Sequence, residues 1–223
     1  MARPTPPPGR PAPRPTADLV LDAAERLAQT RGFNGFSYAD VSAAVGITTA
    51  SLHYHFPGKA ELGRALVERY TAAFAAALAG IAARETRAAA RLDGYARLYG
   101  DVLAAGRMCL CGMLAAEYET LPPPVQRAIR GFFDANEAWL SQVLERGRVE
   151  GDLQFAGSAR DAARQWTSTL EGSMLLARPF ADPTRLTSVA RRMIDEFTRG
   201  ATGAASSASV ATPRRKRAAA RSR

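Results

Sequence analysis

Two cysteines and two histidines supply all the thiol and imidazole chemistry of this 223-residue chain. His53 and His55 flank one tyrosine, and Cys109 and Cys111 flank one leucine. A zinc site takes about four ligands. Two histidines two positions apart on a helix point about 200° apart, so they do not converge on one ion. No metal and no cofactor is expected. A Cys-x-Cys on a helix turns its thiols apart, which disfavours a disulfide. A cysteine-dependent catalyst would need a base beside the thiol, and no histidine lies outside positions 53 and 55. That enzyme is a rival reading, and the chain is expected not to be one. Two alternatives stay open for Cys109 and Cys111. They are inert core thiols, or reactive sensors with Arg107 close in sequence and a helix start near 108–109 to favour the thiolate.

Residues 37–56 carry a different chemistry. Ser37 and Asp40 open a short helix, 38–45, as a capping box whose acid is one carbon shorter than usual. Gly46 ends it, and Thr48 caps a second helix over about 49–55. Two short helices around a glycine-containing turn describe a helix-turn-helix. Its second helix must enter a major groove about 12 Å wide with its first residues against base edges. Thr48, Thr49, Ala50 and Ser51 are small enough for that approach. Ala43, Ala44 and Gly46 would let the two helices pack closely. Val41, Ile47, Leu52 and Phe56 would bury against the preceding Leu19–Leu27 helix. Thr48 and Ser51 also have a purely structural reading as caps, and Tyr54 as a surface aromatic.

The elements that must hold this segment are helical. Apolar residues recur at spacings of three and four, and strict alternation is missing. Helices are expected at 16–31, with Thr16 as N-cap, then at 38–45, 49–55, 59–83, 87–105 and 109–119. Another starts at Pro122–Pro124, and the last two span 158–178 and 183–198. The fold class is therefore all-α, with about nine helices. Residues 16–60 form a DNA-binding domain and 61–198 a ligand-binding and dimerisation domain. Residues 1–15 hold seven of the 14 prolines and should be extended, and 199–223, rich in Ala, Ser and Arg, should be disordered.

The net charge of +9 lies in these tails. They carry ten basic residues and no acid, leaving 20 basic against 21 acidic residues between them. Residues 16–60 hold three basic residues and four acids. The Arg3, Arg10 and Arg14 arm is therefore expected to add phosphate or minor-groove contacts. Coding bias toward arginine accounts for the same charge, since only Lys59 and Lys216 are lysines. The rival within DNA-binding proteins is a non-specific architectural binder driven by the tails. No uncharged apolar run reaches the length of a membrane span, and no apolar segment follows the basic N-terminus as in a secretory signal. Two cysteines and no membrane partner point to the cytoplasm, with nucleoid association through DNA.

The run "GITTASLHYHFPGKAEL", within a match over residues 16–70, resembles the DNA-binding domain of TetR (tetracycline repressor) family transcriptional regulators. The resemblance implies an all-helical homodimer on a palindromic operator, released by a small-molecule effector. It implies DNA contacts at Thr48, Thr49, Ala50, Ser51, His53, Tyr54 and His55, and a phosphate contact from Lys59. His53 stands where tyrosine is more usual, so backbone contact there would vary with pH near 6 to 7. The stretches "RMCLCGMLAAEYETLPPPV" and "LEGSMLLARPFADP" are similar to TetR-type regulators that respond to electrophiles, such as repressors of N-ethylmaleimide reductase and regulators of acrylate metabolism. Candidate sensor or pocket residues are Cys109, Cys111, Met113, Tyr118, Phe132, Trp139 and Trp166. The last two helices are expected to form the dimer. Their faces, Trp166, Leu170 and Met174 with Leu186, Val189, Met193, Ile194 and Phe197, would bury against the partner. Two reading helices should then stand about 34 to 36 Å apart.

Overall fold

The structure, a computed structural model, describes residues 14–208, with side chains described for 14–198. Arg3, Arg10 and the basic residues from 209 onward lie outside the described residues. Among the described residues there are nine α-helices and no strand. They are α1 (Thr16–Arg31), α2 (Tyr38–Val45), α3 (Thr49–His55), α4 (Lys59–Arg84), α5 (Ala88–Ala104), α6 (Leu110–Ala116), α7 (Pro123–Val149), α8 (Ala159–Ala177) and α9 (Thr184–Ala208). Short 3-10 turns follow α6 (Tyr118–Thr120) and α8 (Arg178–Phe180). α9 continues ten residues past the expected end at 198.

Two compact units make up the chain. The first takes the described residues up to Ala73 together with Arg107–Phe132, and the second takes Phe74–Gly106 and the residues from Phe133 onward. Residues 107–132 thus share a unit with the helix-turn-helix. In this unit α1 buries Val20, Leu21, Ala24 and Ala28, while Leu19 is exposed and Leu27 half-buried. Ala23 is buried as well, and α1 packs against both α2 and α3. Val41, Leu52, Leu62, Leu66 and Leu110 complete this core at or near zero exposure. Pro15 precedes α1, and Thr16 is its first helical residue rather than a cap.

In the second unit, Phe74 meets Tyr95 and Tyr99 edge-on at 5.9 Å each, and Tyr95 stacks on Trp139 at 5.8 Å. The Ser158 side chain caps α8, accepting from the Asp161 N–H at 3.1 Å. Asp182 caps α9 from one residue further out, accepting from the Thr184 N–H at 3.0 Å. The expected dimer faces need correction. Trp166, Leu170, Met174 and Leu186 are fully buried within the chain, where α8 and α9 pack on α5 and on each other. Val189, Ile194 and Phe197 are half-buried. An apolar stripe shows that a helix face is covered, not what covers it. Among the described residues of this second unit, the large apolar side chains left outside are Leu175, Leu176 and Phe180, each about 60% exposed, and Val149. Among the described residues, α4 is long and apolar enough to cross a bilayer by length and composition alone, much of that through alanine.

Candidate nucleic-acid interface

Local chemistry builds the two short helices as the sequence implies. Asp40 accepts from the Ser37 backbone N–H at 2.7 Å while Ser37 Oγ accepts from the Asp40 N–H at 3.3 Å, closing the capping box. The Ser37 side-chain and backbone bonds hold the Asp40 carboxyl below the usual carboxylate range. Gly46 ends α2 at φ +78°, a left-handed conformation that glycine adopts without strain. It is not there for close packing. A Cβ at Gly46 would meet nothing within 4 Å, and Ala43 and Ala44 are exposed. Thr48 Oγ1 then accepts from the Ser51 N–H at 3.1 Å and starts α3.

One face of α3 is anchored and the other is outside. Leu52 is fully buried and Phe56 nearly so, whereas Ile47 is half-buried. The Tyr38 hydroxyl donates to the Phe56 carbonyl at 2.9 Å, tying the start of α2 to the end of α3. Burial pushes this phenol up to about 12, helped by the charge of Glu61. The Tyr38 ring also lies 4.7 Å from the His53 ring. Thr48, Thr49, Ala50 and His53 are exposed, Ser51 and His55 are half-buried, and Tyr54 is 85% exposed. His53 Nδ1 is 3.1 Å from the Pro57 carbonyl, which can only accept. The imidazole tautomer with its proton on Nδ1 is the one that can donate to this carbonyl.

Lys59, expected to contact a phosphate, also has partners within the chain. Its ammonium donates to the carbonyls of Phe33 and Phe36 at 2.7 and 2.6 Å, and lies over both their rings at 4.9 and 4.5 Å. Burial lowers its affinity for the proton, partly opposed by the charges of Glu117 and Asp40. The charge on Lys59 thus serves the α1–α2 loop. The distance of Phe33 and Phe36 along the chain hid this from sequence reading.

The candidate sensor and pocket residues are divided between the two units. Cys109, Cys111, Met113, Tyr118 and Phe132 fall in the first unit, and Trp139 and Trp166 in the second. Cys109 and Cys111 are buried, and the Tyr70 hydroxyl reaches Cys109 Sγ at 3.9 Å. The Tyr118 carbonyl accepts from Gln126 at 2.8 Å. Trp139 is half-buried, and Trp166 is fully buried with its ring 6.2 Å from Phe197. In the second unit a cleft of about 390 Å³ lies between α5 and α9, its walls including Asp93, Arg97, Asp101, Leu186, Thr187 and Arg191. None of the nominated residues lines it. No group of three or more metal-ligating side chains comes together among the described residues.

Comparison with known proteins agrees with this geometry. Residues 20–66 match the family model described as bacterial regulatory proteins, tetR family, and residues 87–193 match a tetracyclin repressor-like C-terminal domain. The chain is 26% identical to the transcriptional regulator AcuR of Cereibacter sphaeroides, over 82% of this chain and 87% of that one. It is 27% identical to the transcriptional repressor NemR of Escherichia coli, over 73% and 84%. A TetR-family regulator from Agrobacterium tumefaciens superposes with a TM-score of 0.79 at 35% identity, covering 82% of this chain and 97% of that one.

Proposed function

The chain belongs to the TetR family of bacterial regulatory proteins, and on that premise we propose that it is a homodimeric repressor that reads a palindromic operator through Thr48–His55 and is released by a small molecule. It acts in the cytoplasm, on the DNA of the nucleoid. The observation that carries the reading is the division of α3 into a buried edge, Leu52 with Phe56 behind it, and an outer face of Thr48, Thr49, Ala50, His53 and Tyr54. That outer face offers hydroxyls, a methyl and an imidazole nitrogen, the groups that match base edges and phosphates. The partner copy is bound through the last two helices, with the exposed Leu175, Leu176 and Phe180 as the contact. An anisotropy titration on DNA from upstream of its own gene, in excess bulk DNA, tests this. The repressor reading requires tight binding that survives the competitor. Binding that the competitor removes supports the architectural rival instead.

The effector we infer is an electrophile with an electron-poor double bond. A cysteine thiol adds across it, forming the C–S bond at one carbon and delivering its proton to the other. Both thiols are buried, which favours a second reading in which they are core residues and the effector binds without reacting. N-ethylmaleimide distinguishes the two. Sensing predicts that it releases DNA from the parent protein and not from the Cys109→Ser, Cys111→Ser double variant. Equal release from both supports the core reading.

A further inference from the structure

We propose that Glu117, in the turn after α6, is a positioning residue for operator binding, because it clamps the α1–α2 loop on which α2 and α3 are mounted. The role rests on the operator-binding reading above. The Asn34 backbone N–H donates to Glu117 Oε2 at 2.9 Å, and the Asn34 side-chain amide donates to Thr120 Oγ1 at 2.7 Å. These bonds join residues 83 and 86 positions apart in the chain. The loop's carbonyls, at Phe33 and Phe36, accept from the Lys59 ammonium. The loop amide therefore meets an anion and the loop carbonyls meet a cation, the pairing in which a hydrogen bond is strongest.

Gly32 makes room for this arrangement. It sits at φ +87°, and a Cβ there would lie 2.0 Å from Glu117 Oε1. The same segment holds the end of α1, since the Met108 N–H donates to the Gln29 carbonyl at 3.2 Å and Arg107 donates to Gln29 Oε1 at 3.1 Å. Beyond the loop, Ser37 begins the α2 capping box at once. Helices of eight and seven residues have little stability of their own, so their orientation depends on what holds their ends. Glu117 supplies one of those holds.

The test uses the full chain and the variants Glu117→Ala, Glu117→Gln and Thr120→Val. Affinity is measured for the operator and for unrelated duplex, together with the unfolding midpoint and amide hydrogen exchange across residues 32–37. Glu117→Ala should lose roughly tenfold in operator affinity, as a coupling of ordinary size implies. Its affinity for unrelated duplex and its unfolding midpoint should hold, while exchange in the loop speeds up. Glu117→Gln, which keeps an acceptor of the same shape, should fall between Glu117→Ala and the parent, and Thr120→Val should show a smaller loss. Unchanged operator affinity in Glu117→Ala overturns the proposal. So does a parallel loss of both affinities and of stability, which marks a merely structural residue. Unchanged loop exchange removes the clamp, whereas a parent protein that prefers no duplex over another removes the repressor function itself.

Discussion

At the scale of single residues, charge and exposure separate those that can meet DNA from those that hold the framework. Tyr54 is 85% exposed, so Tyr54→Ala should leave the unfolding midpoint unchanged. Its operator affinity should fall roughly tenfold, the usual effect of disturbing one position of a DNA interface. Lys59 behaves in the opposite sense. Lys59→Met strips two carbonyls of a charged donor and should cost about 1.5–3 kcal/mol in urea unfolding. Thr48, Thr49 and Ala50 were legible in the sequence because their spacing and small size are local properties, whereas His53 and Tyr54 were legible through the family resemblance. The roles of Lys59 and Glu117 were not, because their partners are fixed only once α4 and the turn after α6 have packed. The Trp166 stripe is apolar, as its spacing implies, but it faces the chain's own helices rather than a partner, since periodicity does not name the covering element.

At the scale of elements, α2 and α3 are set by signals within a few residues, and these were the most legible part of the fold. The Ser37 box, Gly46 and Thr48 all act where the sequence places them. Gly46→Ala should cost about 1 kcal/mol in thermal unfolding, from the left-handed conformation alone. Gly32→Ala carries the same kind of strain at φ +87°, and because its Cβ also displaces Glu117 it should lower operator affinity as Glu117→Ala does. α1 is tied to α4 by ion pairs that spacing did not reveal. Arg69 reaches Asp22 at 2.7 Å and Glu25 at 2.8 Å, and Arg14 reaches Asp22 at 2.7 Å. Burial raises the Asp22 carboxyl, but the bonds and charges of Arg14 and Arg69 outweigh it and hold it below its ordinary value. Such a group stabilises the fold above the unfolded carboxylate value of about 3.9. That contribution disappears as pH falls through the lower folded value. Asp22→Asn should therefore lower the unfolding temperature at neutral pH, and its difference from the parent should shrink near about pH 2.

At the scale of the whole molecule, the account requires two copies of α3 on one duplex, with the basic arm adding to the hold. Arg14 is engaged by Asp22, and the arm's other two basic residues by sequence are Arg3 and Arg10. Removing residues 1–13 should weaken operator binding. It should also reduce the slope of log affinity against log salt by about 2, near 0.9 for each phosphate no longer neutralised. Selection from a pool of random duplexes reaches the central claim without a guess at the target. The account predicts an enriched inverted repeat, its half-sites centred roughly 10 base pairs or a multiple of that apart, and loss of the enrichment in Tyr54→Ala. A pool that stays random, or one that converges on the same sequence with Tyr54 removed, would contradict it.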